Sequence, residues 1–287
     1  MKLLMCLRNI FLGSIEEFAK LMNSKAKEIG CTGTHFLNAN GMHDDNHYTT
    51  AQDLAKMAVY GMKNEEFRKI VSTVEYKLPT TSLYPKDDRV MKNTNLLIHP
   101  ESQYYYSYTI GVKTGYTKQA GNCLVSYAEK DGVRLVCVTL KAGSTTDQSS
   151  YRFADSKRLL EYGFENFSNR EIIKEGQIID TIQVTNGTKD TKYLKIVTKD
   201  STSDFIANSI DIDGLEADVQ LKEEILAPIH KGDVLGKISY TIDNISYTSE
   251  LVADSDVQKD TSYIYFIIVV GGVLLFSAGV VLIVKKH

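Results

Sequence analysis

Apolar residues recur three and four positions apart between residues 16 and 29, which is the spacing of an amphipathic helix. The positions that would form its buried stripe are Phe18, Leu21, Met22 and Ile29. Ser14 followed by Glu17 forms a capping box, in which side chains bind the free backbone N–H groups of the first turn, and Gly30 ends the pattern. The sequence therefore predicts a helix with a defined start and end.

Two more helices are predicted downstream by the same kind of pattern. Thr50, with Asp53 three residues later, caps a helix that continues to Met62, and Asn64 opens a short third helix. Residues 31–49, between the first two helices, are rich in Gly, Asn and His, which is typical of a loop. A helical region thus precedes the first strands.

The clearest strand signal is a hairpin closed by Asp131-Gly132, a dipeptide that favours a two-residue turn. Its two arms are residues 123–129 and 133–140. Side chains alternate between the faces of a strand, so this register points Cys123 and Cys137 to opposite faces. We therefore expect free, mostly buried thiols in this chain and no disulfide between these two residues.

A helical pattern over residues 147–164 follows the hairpin, and the order of helices, strands and helix predicts a layered α+β domain. From residue 171 to residue 252, short β-rich runs alternate with Gly-containing turns, which predicts a separate, small all-β domain. The predicted parts are an α+β domain (1–168), an all-β domain (169–253), a stalk (254–262), a transmembrane helix (263–284) and a tail (285–287).

The apolar segment at residues 263–284 contains no charged side chain. At about 1.5 Å per residue, a helix of this length spans the ~30 Å hydrocarbon core of a bilayer. Lys285 and Lys286 follow it, so the positive-inside rule places the tail in the cytoplasm and the bulk of the chain outside a cell membrane. The apolar run at residues 3–7 is broken by Arg8 and is too short for an export signal, so the start of the chain does not explain this topology.

Charge and composition exclude several classes of function. A net charge of −3 without a dense block of Lys or Arg argues against a nucleic-acid partner. The cysteines lack metal-ligand spacing. One loop does carry several residues of metal-ligating type, namely His35, His43, Asp44, Asp45 and His47. A zinc site needs three or four converging ligands, and we interpret this loop as packed structure. We expect no metal and no cofactor.

Lys113-Thr114-Gly115 follows a predicted strand, residues 109–112, and precedes the hairpin. A KTG at a strand end is one of three elements of the penicillin-recognising serine acyl-transferases, together with an SxxK nucleophile pair and an SxN. Three further stretches occur in the order that they have in this group of proteins: residues 18–23, 34–55 and 152–164. Over residues 14–167 the chain resembles the low-molecular-weight penicillin-binding proteins, which are serine-type D-alanyl-D-alanine carboxypeptidases.

The resemblance implies the C-terminal part of a transpeptidase domain of the penicillin-binding and β-lactamase type, with a set of substrate-binding roles. Lys113 would place a positive charge beside the substrate carboxylate, and Thr114 would donate its hydroxyl to that group. Gly115 would let the substrate lie against the strand edge, and the N–H of Tyr116 would be an oxyanion donor. Arg152 would bind the terminal carboxylate as a bidentate donor.

The two other family elements, which precede the KTG in relatives, are not found. No Ser-x-Asn or Tyr-x-Asn occurs in the 287 residues, and the only Ser-x-x-Lys runs from Ser24 to Lys27. Both residues lie off the apolar stripe of the first helix, so we expect them to face solvent and not to be catalytic. Residues 1–12 match no part of the family before Gly13. We therefore interpret the chain as a family member that lacks its N-terminal part and whose remaining half exposes apolar surface.

The predicted function is that of a carboxypeptidase-family protein of peptidoglycan maturation, which removes terminal D-Ala from stem peptides. Without a nucleophilic serine, this chain would have no catalytic residue and would be inactive. The expected partners are a stem peptide ending in D-Ala-D-Ala, β-lactams bound without a covalent bond, and the membrane. A non-catalytic wall-binding or scaffold protein and a truncated gene remnant are the alternatives.

Overall fold

The computed structural model describes residues 14–86, 88–143 and 151–262. The chain forms two compact units, which adjoin in the sequence at Asn166 and Phe167. The first unit contains helices and an antiparallel sheet, and the second is built from strands. The prediction of an α+β domain followed by an all-β domain is confirmed.

The α-helices of the first unit in the described residues are α1 (Ile15–Glu28), α2 (Ala51–Gly61), α3 (Glu65–Ser72) and α4 (Tyr151–Asn166). The first three begin where the sequence predicts their caps. The N–H of Glu17 donates to Ser14 Oγ, and the N–H of Asp53 donates to Thr50 Oγ1, each over 3.1 Å. Asn64 caps α3 in the same way. These side chains bind N–H groups that have no partner within the helix.

The buried face of α1 differs from the predicted stripe. Ala19 and Ala26 are its buried residues, whereas Leu21 is 53% exposed. The side chain of Asn23 donates to and accepts from the backbone of Phe36, and this contact holds α1 close to the following loop. Leu21 instead lines an open apolar groove of about 410 Å³, which is apolar surface of the kind expected for this half of the chain.

A three-stranded antiparallel sheet lies at the centre of the first unit. The strands of this unit are β1 (Glu75–Lys77), β2 (Val90–Lys92), β3 (Thr109–Thr117), β4 (Gly121–Lys130) and β5 (Val133–Ala142), and the sheet order is β3–β4–β5. The predicted hairpin register is confirmed, since Cys137 pairs with Ser126. The predicted end of the first strand is wrong: β3 continues through Lys113 to Thr117 as a partner of β4. The thiols of Cys31, Cys123 and Cys137 are free.

Helices cover both faces of this sheet because its apolar side chains alternate. On one face, Tyr127 of β4 packs in a cluster with Val71 of α3. On the other face, Leu124 of β4 packs with Phe153 of α4. A Cβ on Gly111 would lie 2.8 Å from Cγ2 of Val71, so α3 can approach β3 this closely only because the residue is glycine. The position of β3 is thus set by β4 and α3.

The second unit is an all-β domain. Its strands in the described residues are β6 (Phe167–Ile173), β7 (Ile178–Gln183), β8 (Tyr193–Thr198), β9 (Thr202–Ala207), β10 (Asp218–Leu221), β11 (Val234–Ile242) and β12 (Ile245–Ala253). Five of them form a sheet in the order β10–β11–β12–β8–β7, and β6 pairs with β9. Its main core contains fully buried aliphatic residues, Leu194, Ile196, Ile238 and Leu251.

In the part of the chain that the structure describes, no helix combines the length and the apolarity needed to cross a membrane. The predicted transmembrane helix, residues 263–284, and the predicted tail, residues 285–287, lie outside the described residues. The transmembrane helix therefore stays a prediction from the sequence.

Two neighbouring leucines of α4 test the packing of this helix on the sheet. Leu160 is 1% exposed and packs with Ala128 and Cys137, whereas Leu159 is 53% exposed. We expect Leu160→Ala to lower the free energy of unfolding of the first unit by about 2–5 kcal/mol, because it leaves a cavity. Leu159→Ala should change it by no more than about 0.5 kcal/mol.

The measurement is urea denaturation of each variant, with the transition of the first unit identified by hydrogen exchange of β4 amides. Equal effects of the two substitutions would contradict the packing of α4 described above.

Candidate functional site

Lys113 and Thr114 lie on β3, whose outer edge pairs with no strand in the described ranges. Nζ of Lys113 donates to the backbone oxygen of Thr114 over 2.9 Å and lies 3.4 Å from Thr114 Oγ1. Gly115 follows on the exposed part of the strand and has no side chain to cover it. The strand therefore presents a cation, a hydroxyl and an open backbone edge at one place.

Arg152, near the start of α4, reaches the same place from another part of the chain. Its Nη1 donates to the backbone oxygen of Gly115 over 3.3 Å and to Oδ1 of Asn122 over 3.4 Å. Its guanidinium lies 4.9 Å from the ring centroid of Phe153, a buried residue of the core. Nε of Arg152 is buried and has no hydrogen-bond partner within the described residues. The guanidinium thus contacts the KTG through Nη1 and holds a buried N–H that no described residue accepts.

The electrostatics of the two cations favour an anion. Neighbouring protein atoms displace water from the Lys113 ammonium and lower its pKa, and repulsion from Arg152 lowers it further. Burial also lowers the pKa of Arg152. No carboxylate is among the hydrogen-bond partners of these two side chains in the described residues. A bound anion would restore interactions that both cations have lost with water.

The structure adds two residues that the sequence analysis missed. Oγ1 of Thr94 lies 2.5 Å from Oγ1 of Thr114, and Asn122 binds Arg152. Thr94 belongs to a polar stretch, Asn93-Thr94-Asn95, just after β2. Such a cluster of short polar residues indicates a turn with side chain–backbone hydrogen bonds, but it does not indicate which strand the turn meets.

Tyr116 is 68% exposed, and its backbone opposes Asn122 in the β3–β4 ladder. It therefore lies next to Gly115 on the strand that carries the site. The role of its N–H as an oxyanion donor stays a prediction.

Four segments of the chain meet at this site: the residues after β2, β3, the start of β4 and the start of α4.

Comparison with known proteins identifies the family that these residues resemble. The sequence profile described as D-alanyl-D-alanine carboxypeptidase matches residues 5–144, and the profile of the penicillin-binding protein 5 C-terminal domain matches residues 167–259. The chain belongs to the D-alanyl-D-alanine carboxypeptidase family. The match begins at Met5, so the expectation that residues 1–12 match no part of this family is wrong from Met5 onward.

Individual members of the family show how much of it this chain contains. D-alanyl-D-alanine carboxypeptidase DacF of Bacillus subtilis (strain 168) is 30% identical over 89% of this chain and 62% of its own length. D-alanyl-D-alanine carboxypeptidase DacA of Haemophilus influenzae is 28% identical over 80% of this chain and 55% of its own length. This chain thus spans less than two thirds of the length of either carboxypeptidase.

Solved structures of the family share the fold. The D-alanyl-D-alanine carboxypeptidase DacD from Francisella tularensis superposes with a TM-score of 0.61 at 25% identity, over 88% of this chain and 71% of that one. Penicillin-binding protein 5 from Haemophilus influenzae gives a TM-score of 0.56 at 25% identity, over 88% and 69% of the two chains. The two-unit architecture is therefore that of the carboxypeptidase family.

The His-rich loop of this family member is held by backbone contacts. Nδ1 of His35 lies 2.6 Å from the backbone oxygen of Asn46, and the N–H of Leu37 donates to Nδ1 of His47 over 3.1 Å. Burial lowers the pKa of His47, and repulsion from His35 adds to this effect. Across residues 14–86, 88–143 and 151–262, no group of three or more His, Cys, Asp or Glu side chains is arranged to hold a metal ion.

A buried carboxylate joins this loop to α2. Asp53 is 2% exposed, and its Oδ2 accepts from Thr34 Oγ1 over 2.7 Å and from the N–H of Gly33 over 2.8 Å. These two hydrogen bonds, led by that of Thr34, lower the pKa of Asp53. The stretch at residues 34–55, which contributes to the family resemblance, is thus a structural support within the first unit.

Ser24 and Lys27 are exposed on α1, as predicted. Their neighbours on the helix make local contacts: Asn23 binds the backbone of Phe36, and Lys25 pairs with Glu28. In the part of the chain that the structure describes, Lys113 and Thr114 make no hydrogen bond to Ser24 or Lys27. The structure therefore does not bring this Ser-x-x-Lys into contact with the KTG.

The electrostatic coupling of the two site cations can be measured directly. We expect Arg152→Ala to raise the pKa of Lys113 toward its ordinary value, because the substitution removes like-charge repulsion and lets water approach the ammonium. The measurement is a pH titration of the Lys113 side chain followed by NMR of its Cε and Nζ.

Arg158→Ala, on the same helix but in a groove beside β5, is the matched control and should leave the Lys113 pKa unchanged. An unchanged pKa in Arg152→Ala would contradict the placement of Arg152 beside Lys113.

Proposed function

We propose that this chain recognises the terminal carboxylate of peptidoglycan stem peptides that end in D-Ala-D-Ala, at the outer edge of β3. The observation that carries the proposal is the hydrogen bond of Arg152 to Gly115, which brings a second cation to the KTG from a distant part of the chain. Two neighbouring cations that are partly shielded from water, and that have no carboxylate partner in the described residues, make a site for an anionic ligand.

The substrate-binding roles follow from the chemistry of each group. The Lys113 ammonium and the Arg152 guanidinium attract the carboxylate, and the Thr114 hydroxyl donates to one of its oxygens. Gly115 leaves room for the peptide to lie along β3, whose backbone groups extend the sheet to the ligand as in other cases of strand addition. Tyr116 follows on the same edge and supplies its N–H to the carbonyl that lies next along the peptide.

We also propose that these 287 residues alone bind the peptide but do not hydrolyse it. The family reaction needs a serine nucleophile activated by a lysine, and the Ser-x-x-Lys of this chain lies exposed on α1. Binding groups position a substrate but form no covalent bond with it. β-Lactams, whose carboxylate resembles that of the peptide, would bind at the same place without acylating the protein.

The test is titration of the purified chain with an N-acylated peptide ending in D-Ala-D-Ala. We expect saturable binding, with Kd raised about tenfold or more in Lys113→Ala and in Arg152→Ala, because each removes a charge-assisted hydrogen bond worth about 1.5–3 kcal/mol. Arg158→Ala is again the matched control and should bind normally.

Two outcomes would contradict the proposal. One is a folded chain that binds the peptide no better than it binds the same peptide with a C-terminal amide. This result would show that the cations do not recognise the carboxylate. Release of D-Ala, or a covalent adduct in the intact mass after incubation with a penicillin, would show that a nucleophile is present.

We also propose that residues 263–284 anchor the chain in the cell membrane, with both described units outside and residues 285–287 in the cytoplasm. The support is the uncharged apolar segment and the two lysines that follow it. Expressed in cells, the chain should resist extraction by alkaline carbonate, whereas a variant ending at Ser262 should be released. A protease added to intact cells should cleave the wild-type units. Their protection would refute this orientation.

A further inference from the structure

Thr94 is an exposed residue whose hydroxyl contacts a residue of the site. It lies after β2, and its Oγ1 is 2.5 Å from Oγ1 of Thr114. Thr114 Oγ1 also lies 3.4 Å from Nζ of Lys113. The Thr114 hydroxyl thus has two hydrogen-bonding neighbours, while the Thr94 side chain makes no other hydrogen bond in the described residues.

The backbone of Thr94 is held in place by the asparagines on either side. Asn93 Nδ2 donates to the backbone oxygens of Val71 and Thr73, each over 3.1 Å, and its Oδ1 accepts from the N–H of Asn95 over 3.0 Å. Asn95 is fully buried, and its Oδ1 accepts from the N–H of Leu97 over 3.2 Å. These contacts fix the turn to the end of α3, so an exposed threonine occupies a defined position without core packing of its own.

The hydrogen count of the two hydroxyls determines what this contact can do. A threonine hydroxyl has one hydrogen to donate and two lone pairs that accept. The Lys113 ammonium can only donate, so Thr114 Oγ1 accepts from it. When Thr94 also donates to Thr114 Oγ1, both lone pairs of Thr114 are used and its single hydrogen is free for a ligand. Each hydrogen bond that Thr114 Oγ1 accepts polarises its O–H group and makes the Thr114 hydrogen a better donor.

We propose that Thr94 is a positioning residue of the carboxylate site, which donates to Thr114 and so directs the Thr114 hydrogen to the ligand carboxylate. This inference rests on the proposed function, since it assumes that the Thr114 hydroxyl meets a carboxylate. It adds a residue outside the KTG to the recognition of the peptide.

The test compares Thr94→Val with Thr94→Ser by titration with the N-acylated D-Ala-D-Ala peptide. Valine keeps the shape of threonine without its hydroxyl, so we expect Kd to rise about three- to tenfold, the range of one neutral hydrogen bond. Serine keeps the hydroxyl and should bind within about twofold of the wild type. Equal losses in the two variants would overturn the proposal, because they would show that keeping the hydroxyl does not preserve binding.

A double-mutant cycle separates positioning of Thr114 from a general disturbance of the turn. In the Thr114→Val background, Thr94→Val should cause little further loss, because the hydroxyl that it positions is gone. Additive losses would overturn the proposal. If the wild type binds the peptide and Thr94→Val binds it equally well, this inference is overturned and the proposed function is not. A folded wild type that does not bind the peptide would overturn the proposed function and this inference with it.

Discussion

Two cations that share one strand edge are the constraint on which the rest of the site depends. Partial burial lowers the pKa of Lys113, and repulsion from Arg152 lowers it further; the guanidinium is itself partly removed from water. Such an arrangement is unfavourable in isolation, so packing must maintain it. Phe153 provides that packing: it is buried in the core next to Arg152, with its ring beneath the guanidinium. The hydrophobic core of the first unit thus positions the guanidinium of Arg152 at the site.

The support for this edge comes from elements that are far apart in the sequence. β4 pairs with one edge of β3. α4 brings Arg152 to Gly115, and the turn after β2 brings Thr94 to Thr114. Each contact fixes a polar group before any ligand arrives. Preorganised donors lose little conformational entropy on binding, which is why such sites are built on packed elements and not on free side chains.

The features that the sequence predicted correctly are those that neighbouring residues determine. Ser14, Thr50 and Asn64 begin helices because each side chain binds an N–H three residues ahead. Asp131-Gly132 sets the hairpin register because a two-residue turn fixes which residues face each other. In both cases the information lies within a short stretch of chain. The family resemblance needed more, namely the KTG and three further stretches in the family's order.

The features that the sequence did not predict depend on contacts between distant segments. Apolar spacing placed Leu21 in a buried stripe, but burial depends on what packs against the helix, and Leu21 lines an open groove. The predicted end of β3 is too early because pairing with β4, and not an apolar pattern of their own, orders the last residues of this strand. The resemblance indicated Arg152 as a site residue, but its own sequence neighbours do not. An arginine on a helix is most often solvated, and the hydrogen bond of Arg152 to Gly115 is evident only in the folded chain.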